Sequence, residues 1–415
     1  MLKTYLHITL IGLLSTLNFT LSTTRCFAEV PRLTVVVVAD GLTKDNIAQL
    51  RPYWLQSGTD NLLKETYITS LDFNHWTYGG NEALATILTG TTPRVHGYAM
   101  DTVFNRSTRR SVALLEDKTY NGIGTSLRLS SEALHSATIA DQYRLDYGKN
   151  AKIYAVGIHP QTTMLMAGHA ANACCWWDNI KEQWVSTTYY PEGLPSAADD
   201  WNMNAKKDKQ TLNERVTHIA LEVQRTQQMG LDNTPDILLL EYDLGLDDTN
   251  LDVLMNQLIL RVGRKNLQLL VIGTPQGGEQ TAFNIDRAAA LTSTYLIALY
   301  GHERWIDGGY GHSLYLNKQL IEQKKQSLPE MKNLICAFLM DFDDVAAAYS
   351  LEQAMTLEET KESVNKHCSG DIVVTIEHNW QYQPPQSTLL WWKGYDTNYP
   401  QSPINALQVK HLIYK

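Results

Sequence analysis

Four runs of consecutive apolar residues stand out along the chain, and each run ends in a polar residue or a proline. The runs are RLTVVVVAD (32–40), AKIYAVGIHP (151–160), PDILLLEYD (235–243) and NLQLLVIGTP (266–275). A continuous aliphatic run, without the alternation of a half-exposed strand, is typical of a strand buried on both faces. Such strands occur in parallel sheets covered by helices, so the pattern predicts an α/β fold.

Two segments with apolar residues at helical spacing precede two of these runs. They are TLNERVTHIALEVQRTQQ (211–228) and NLDVLMNQLILRVGRK (250–265), and we predict that both are helices packed on the sheet. No linker rich in Pro, Gly or Ser, no internal repeat and no low-complexity tract divides the chain. The sequence is therefore interpreted as one large domain over residues 29–415, with an inserted cap region.

The first 28 residues have the features of a secretory signal. A basic start at Lys3 precedes a short apolar run, and the small residue Ala28 precedes the predicted cleavage site. The run is short for a membrane span, so we predict export and no transmembrane segment in the mature protein. Retention of this segment as an N-terminal anchor is the alternative. A lipoprotein signal through Cys26 is disfavoured because Arg25 fits a lipobox poorly.

The charge balance argues against some classes of partner. The chain has 35 Lys and Arg against 44 Asp and Glu, a formal net charge of −9, which predicts no binding to nucleic acid or to anionic membranes. The cysteines after the signal show no zinc-finger spacing, so buried thiols are expected. A disulfide between Cys336 and Cys368 is the alternative in an exported protein.

Candidate chemistry lies at the ends of the predicted strands. In open parallel sheets, ligands bind at the carboxyl ends of the strands. Asp40, Asp243 and the segment after Thr274 follow three of the runs and are therefore predicted to meet at one edge. Either acid alone could simply cap the next helix, but their shared placement favours a site.

Six further stretches give the chain a family resemblance. They are TGTTPRVHG (89–97), AGHAANACCWWD (167–178), WVSTTYYPEGLP (184–195), WIDGGYGHSLYLNKQLIE (305–322), SGDIVVTIEHNW (369–380) and YDTNYP (395–400). Over about residues 30–400, the sequence resembles the alkaline phosphatase superfamily, specifically exported phosphate-irrepressible alkaline phosphatases of the nucleotide pyrophosphatase/phosphodiesterase type. The resemblance implies a three-layer α/β sandwich with a mostly parallel central sheet, and a location in the periplasm or cell envelope of a Gram-negative bacterium.

Active members of that family bind two zinc ions and use a threonine alkoxide as nucleophile, so seven positions can be compared. The resemblance places Asp40 at the first metal ligand and Gly80 at the nucleophile. The Asp-x-x-x-His metal pair falls on Asp243 and Asp247. The remaining metal ligands fall on Pro275, Gln276 and Asn398. Only the first and third of these positions, Asp40 and Asp243, keep the family residue.

The resemblance also locates three positions that contact phosphate in active members. The family's Asn falls on Asp101, and its Lys-x-Arg falls on His159 and Gln161. We call these three residues the phosphate-contact positions. Two cations are thereby lost and one acid is gained, and Glu82 adds a further acid nearby.

These substitutions predict a degenerate site, with no catalytic residue, no zinc and no other cofactor. Gly80 has no hydroxyl to attack phosphorus. Proline offers zinc no ligand, and neutral amides bind it weakly. A weak calcium or magnesium site on the three aspartates at 40, 243 and 247 is the alternative. A shifted nucleophile at Thr77 would leave the other losses in place.

The helix after the nucleophile position is nevertheless predicted to be intact. Asn81 is a good N-cap residue, Glu82 suits the positive end of the helix dipole, and Gly90 can end the helix. Leu84 replaces a polar family residue and suits packing. The nearby His159 and His169 lack a serine or cysteine in a nucleophile elbow, so His169 is interpreted as structural.

We therefore interpret the chain as an exported pseudoenzyme that binds an unidentified ligand or protein partner. One alternative is a phosphate- or sulfate-ester hydrolase with a rearranged, metal-dependent site. Another is a structural subunit of a cell-envelope assembly, with an interface formed by the aromatic residues at 176–177, 189–190 and 391–392.

Overall fold

A computed structural model gives the architecture of the chain. It describes residues 30–40, 42, 47, 66–71, 73, 75, 80–204, 209–243, 250–274, 283–376 and 387–393. Contacts divide the chain into Met1–Pro31 and Arg32–Lys415, and nearly all described residues belong to the second unit. The predicted signal over residues 1–28 lies outside the described residues and stays a prediction.

A nine-stranded sheet forms the centre of the fold. Its strands are β1 (Leu33–Asp40), β2 (Tyr67–Leu71), β5 (Gly122–Ile123), β6 (Ile153–Gly157), β7 (Ala173–Asp178), β8 (Gln183–Thr187), β9 (Asp236–Tyr242), β10 (Leu267–Thr274) and β15 (Ser387–Lys393). The strand order is β2-β15-β10-β1-β9-β6-β7-β8-β5, and the five strands from β10 to β7 run parallel to one another. Antiparallel pairings extend both edges of the sheet.

The four-valine run of β1 shows why the sheet is covered on both faces. Val35 and Val37 pack into one hydrophobic cluster, whereas Val36 and Val38 pack into another. Successive strand side chains point to opposite faces, so a continuous apolar run needs a layer of helices on each side. The predicted strand buried on both faces is confirmed, as is the three-layer α/β arrangement with a mostly parallel sheet.

Helices supply the two outer layers. The helices that pack against the first cluster are α5 (Ser196–Asn204), α6 (Leu212–Gln227) and α7 (Asn250–Val262). Those that pack against the second are α1 (Gly80–Thr89), α3 (Ile139–Tyr147) and α4 (Pro160–Ala167). The two helices predicted from apolar spacing are confirmed as α6 and α7. Thr211 and Glu214 form a capping box at the start of α6.

A second, antiparallel sheet has its own hydrophobic core. The elements of this part are β11 (Ile306–Tyr310), β12 (Ser313–Leu316), β13 (Val345–Ser350), β14 (Ile372–Ile376), α8 (Ile285–Tyr300), α9 (Lys318–Gln323), α10 (Leu328–Leu339) and α11 (Leu351–Ala354). The strand order is β11-β12-β14-β13. A hairpin of β3 (Thr102–Asn105) and β4 (Arg110–Ala113) and the short helix α2 (Pro93–His96) complete the elements that bear on the site.

The cysteines and the helix lengths test two further predictions. Cys174, Cys175 and Cys368 are buried, Cys336 is half-buried, and all four are free thiols, so the expected packed thiols are confirmed. Among the described residues, no helix is long and apolar enough to cross a membrane. The domain boundaries and the extent of the cap stay predictions.

Candidate functional site

The carboxyl ends of the central parallel strands form the edge at which the sequence predicts a site. Asp40 is the last residue of β1 and pairs with Thr274, the last residue of β10. On the other side of β1, Ala39 pairs with Tyr242 of β9. Asp243 follows Tyr242 directly, so it comes at the end of the strand next to Asp40. The predicted placement of Asp40 and Asp243 at one edge is confirmed, whereas the segment after Thr274 lies outside the described residues.

One side chain of α6 fixes the backbone of Asp243. Asn213 Oδ1 accepts a hydrogen bond from the Asp243 N–H (2.9 Å), and Asn213 Nδ2 donates to the Asp243 carbonyl. The Asp243 side chain itself is exposed. The side chain of Asp40 lies outside the described residues, as do the predicted positions Thr77, Asp247, Pro275, Gln276 and Asn398.

Asp243 is the one metal position of the family resemblance whose side chain lies among the described residues. Zinc needs several imidazole, thiolate or carboxylate ligands that converge on one point. Within the described ranges, no group of three or more His, Cys, Asp or Glu side chains is arranged to hold a metal ion. Asp243 offers one exposed carboxylate. The predicted losses at the other metal positions stay predictions.

Helix α1 begins two residues earlier than the predicted N-cap implies, and its second residue has a different role. The helix starts at Gly80, so Asn81 lies inside it and the predicted N-cap is wrong. The Asn81 side chain instead donates from Nδ2 to Asp101 Oδ1 (3.1 Å) and accepts at Oδ1 from the Thr162 hydroxyl (2.9 Å). The physical reason is that these two distant partners satisfy both ends of the Asn81 amide. Asn81 therefore links α1 to α4 and to the segment before β3.

The rest of α1 follows the prediction. Leu84 is fully buried against the sheet, and Glu82 is buried in the first turn, where a carboxylate favours the helix dipole. Gly90 has a φ of +66° and donates its N–H to the Thr86 carbonyl (2.9 Å), so it ends the helix as expected. The predicted helix is thus intact, and Gly80, which the resemblance assigns to the nucleophile position, is its first residue.

A tyrosine joins two of the three phosphate-contact positions. The Tyr98 hydroxyl lies 2.5 Å from Asp101 Oδ1 and 2.8 Å from Gln161 Oε1. A phenol has one proton, which it donates to the carboxylate. The Gln161 amide then donates from its NH2 group to the phenol oxygen, because the two amide orientations are interchangeable. Burial raises the pKa of Tyr98 well above its ordinary value, and the carboxylates of Asp101 and Glu82 raise it further. The phenol therefore stays protonated, and its hydrogen bonds link the two positions to each other.

The third phosphate-contact position, His159, is held by a buried carboxylate. His159 Nδ1 lies 2.7 Å from Glu241 Oε1, and Glu241 Oε2 accepts the backbone N–H groups of Ile158 (2.7 Å) and His159 (2.8 Å). The Glu241 side chain is 4% exposed and the His159 side chain is 68% exposed. Gly157 makes this contact possible, because a Cβ there would lie 2.8 Å from Glu241 Oε2.

Two buried histidines form hydrogen bonds with the same threonine of α1. Thr86 Oγ1 lies 3.1 Å from His75 Nε2 and 3.2 Å from His96 Nε2, and the Tyr98 N–H donates to His96 Nδ1 (3.0 Å). Because His96 Nδ1 accepts, its Nε2 carries the proton and donates to Thr86. Burial lowers the pKa of His75 to about 4 and that of His96 to about 3. Both rings are therefore neutral at pH 7 and supply no positive charge.

His169 is structural, as interpreted from the sequence. Its Nδ1 lies 2.8 Å from Asp141 Oδ2 and its Nε2 lies 2.8 Å from the Leu134 carbonyl. The hydrogen bond to Asp141 raises the pKa of His169. Burial alone would raise the pKa of Asp141, but its hydrogen bonds from His169 and Thr138 outweigh burial and lower it. The pair ties the segment after α4 to the start of α3.

The aromatic residues considered for an interface belong mainly to the chain's own core. Trp176, Trp177, Tyr190 and Trp392 are each at most 6% exposed, and Tyr189 is half-buried. The side chain of Trp391 lies outside the described residues. The described aromatic residues therefore give no surface for the envelope-subunit alternative.

The charges within and beside the phosphate-contact positions determine which ligands these positions can bind. Asp101, Glu82 and Glu241 bring three carboxyl groups within or beside the phosphate-contact positions, whereas Tyr98 and Gln161 are neutral. A phosphoryl group is stabilised by cations and by hydrogen-bond donors aimed at its oxygens. Here the donors of the cluster are already aimed at its own carboxylates. The arrangement favours hydrogen bonds among these side chains over the binding of phosphate.

Two residues of this cluster were absent from the sequence-based site. Tyr98 directly follows the TGTTPRVHG stretch, and no spacing rule connects it to Asp101 and Gln161. Glu241 did carry a signal, because it is a charged residue within the continuous apolar run of β9. A buried acid in such a run needs dedicated donors, and it finds them at the end of β6.

Known proteins with similar sequences match only part of this chain. Alkaline phosphatase PafA of Elizabethkingia meningoseptica is 27% identical over 179 residues, covering 41% of this chain and 32% of that protein. A calcium-transporting ATPase of Myroides odoratus is 27% identical over 188 residues, covering 44% and 34%. Alkaline phosphatase PhoV of Synechococcus elongatus is 25% identical over 183 residues, covering 43% and 33%. The aligned segments thus span about a third of these relatives. No protein-family model matches the chain.

Solved structures extend the likeness to nearly the whole fold. Wild-type alkaline phosphatase PafA superposes with a TM-score of 0.75 at 17% identity, covering 92% of this chain and 95% of that chain. Murine ectonucleotide pyrophosphatase/phosphodiesterase 5 gives a TM-score of 0.51 at 11% identity, covering 86% and 87%. Identities this low show the fold alone. This chain therefore has the fold of these alkaline phosphatase and nucleotide pyrophosphatase/phosphodiesterase structures, and part of its sequence is similar to alkaline phosphatases.

Proposed function

We propose that this protein is a catalytically degenerate member of the alkaline phosphatase superfamily, exported to the periplasm or cell envelope, with a binding role in place of phosphoryl transfer. The observation that carries the proposal is the closure of the phosphate-contact positions. Asp101 and Gln161 are joined through the Tyr98 hydroxyl. His159 is joined to Glu241.

These internal hydrogen bonds occupy the donors that a bound phosphate ester would need. Transition-state charge in phosphoryl transfer is stabilised by cations and by donors that are held ready for the substrate. In the described cluster, the Tyr98 hydroxyl and the Asn81 amide are already bonded to the Asp101 carboxylate. A phosphate ester would have to break these hydrogen bonds and also approach buried carboxylates. The resemblance-based assignment of Gly80 to the nucleophile position supports the same conclusion.

The test is turnover and metal content of the purified full chain. We expect no hydrolysis of p-nitrophenyl phosphate or bis-p-nitrophenyl phosphate above the buffer rate, with or without added zinc. Gly80→Thr should remain inactive, because a hydroxyl alone does not become an alkoxide. Stoichiometric zinc together with turnover that is lost in Asp40→Ala would reject the proposal. The matched control is Asp232→Ala, which removes an exposed carboxylate from the loop before β9, at the opposite edge of the sheet.

A second candidate function rests on the strand ends. Asp40 and Asp243 come at the ends of adjacent parallel strands, which is compatible with a divalent ion and a rearranged hydrolytic site. This alternative predicts a rise in melting temperature with zinc, manganese, magnesium or calcium, and loss of that rise in Asp243→Asn. Unchanged melting with all four ions would reject it.

A further inference from the structure

Two exposed histidines form a T-shaped ring contact at the surface. The rings of His135 and His367 are 5.8 Å apart between centroids and are nearly perpendicular, at 88°. They come from segments that are far apart in the sequence, and both side chains are at the surface. Neither histidine is one of the phosphate-contact positions.

Both histidines are positioned by the same turn, which contains α2. The His135 N–H donates to the His96 carbonyl (2.8 Å). The His367 N–H donates to Asn365 Oδ1 (2.9 Å), and Asn365 Nδ2 donates to the Arg94 carbonyl (3.1 Å). Each histidine is therefore tied through its backbone to this turn, which holds the two backbone segments close together.

A glycine makes room for one of the rings. A Cβ at Gly97 would lie 2.9 Å from His135 Nδ1, so the ring packs directly on the Gly97 backbone. Gly97 has a φ of +85° and closes the turn with an N–H bond to the Pro93 carbonyl (3.0 Å). The ring atoms nearest to this backbone are Nδ1 and Cε1, so Nε2 is the nitrogen that His135 can offer to a ligand.

The spacing fits two imidazoles that share one metal ion. Zinc–nitrogen bonds are about 2.0–2.1 Å, which puts each ring centroid about 3.2 Å from the metal. Two such rings are about 5.2 Å apart at a tetrahedral angle and about 6.4 Å apart when opposed. The observed 5.8 Å lies between these limits.

We propose that His135 and His367 together bind one transition-metal ion of the kind that imidazole prefers, namely Zn2+, Ni2+ or Cu2+. Water completes the coordination. The ion links the loop around residue 135 to the segment around residue 367, and so fastens two parts of the fold that both contact the α2 turn.

Calorimetric titration of the chelator-treated full chain with NiCl2 and ZnCl2 tests this site. We expect one equivalent bound by the wild type, at least about a tenfold loss of affinity in His135→Ala and in His367→Ala, and no binding in the double variant. The matched control is the double variant His218→Ala/His302→Ala, which removes two other exposed histidines and should bind as the wild type does. Melting without metal checks that the variants fold.

Three results would overturn the proposal. They are no binding of either ion by the wild type, unchanged affinity in the His135/His367 double variant, and loss in only one of the two single variants. Binding that survives the double variant but disappears in Asp243→Asn would place the ion at the sheet edge instead. That result would leave the rearranged-hydrolase alternative standing, so the two ideas are distinguishable.

Discussion

The closure of the phosphate-contact positions depends on one hydroxyl, which Tyr98→Phe removes without changing the ring. Tyr98 is fully buried and donates to the Asp101 carboxylate at 2.5 Å. A hydrogen bond to a charged group contributes about 1.5–3 kcal/mol to stability. After the substitution, Asp101 Oδ1 keeps only the longer bond from Asn81 (3.1 Å) among these contacts. We expect the free energy of unfolding to fall by about 2 kcal/mol.

Urea unfolding of wild type and variant measures this loss, and Tyr349→Phe is the matched control. The Tyr349 hydroxyl also donates to a carboxylate, Glu359 at 2.6 Å, but this bond is at the surface. Exposed polar pairs contribute about 0–1 kcal/mol, so the control should lose less than half as much. Equal losses in Tyr98→Phe and Tyr349→Phe would refute the idea that the buried bond is special.

A double-mutant cycle assigns the effect to the right partner. Tyr98→Phe and Asp101→Ala should couple by about 1 kcal/mol or more, because each substitution removes one end of the same bond. Additive losses would mean that Tyr98 stabilises the fold through its ring packing or through Gln161. The closure of the phosphate-contact positions on each other would then be an incorrect description.

Three further outcomes follow from the same contacts. His75 and His96 have folded-state pKa values of about 4 and about 3, below the unfolded value, so their stabilisation is complete above about pH 6.5 and is lost as the pH falls. The contribution of these two histidines to the free energy of unfolding should fall by about 4 kcal/mol between about pH 7 and about pH 5, and a flat pH profile would contradict this. Gly157→Ala should cost about 3 kcal/mol, because the new Cβ would clash with the Thr163 hydroxyl; a wild-type melting temperature would contradict it. Asp141→Asn should cost about 2 kcal/mol at about pH 6 and less at about pH 9. The pKa of His169 is raised in the folded protein, so the stabilisation by its protonated ring is complete below the unfolded-state pKa and is lost as the pH rises through the folded-state pKa. Equal costs at both pH values would exclude the ion pair.

The elements that could be predicted from the sequence are those whose pattern is local and repeated. In β1, every residue from Val35 to Val38 is apolar, which indicates a strand in a sheet covered on both faces. The capping box at the start of α6 needs only residues three positions apart. Asp40 and Asp243 could be placed at one edge because parallel strands bring their carboxyl ends together.

The parts that could not be predicted depend on partners distant in the chain. Asn81 has the chemistry of a good N-cap, but Asp101 and Thr162 occupy its amide, and neither is close to it in sequence. Tyr98 carries no recognisable signal, since a tyrosine after a turn has many uses. Glu241 does carry one, as a single acid in an apolar strand, but its donors come from the end of the neighbouring strand β6.

Under the proposal of a degenerate site, the same contacts stabilise the scaffold without a bound ligand. An active site holds polar groups ready for a ligand, which costs stability because they repel one another or stay unsatisfied. In the described cluster, Asn81, Asp101, Tyr98 and Gln161 satisfy one another, and Leu84 of the same helix as Asn81 packs into the core. Each contact therefore contributes to folding whether or not a ligand binds. A ligand at this place must replace these hydrogen bonds with better ones, and the carboxylates of Asp101 and its neighbours favour a cationic or hydrogen-bond-donating ligand over a phosphate.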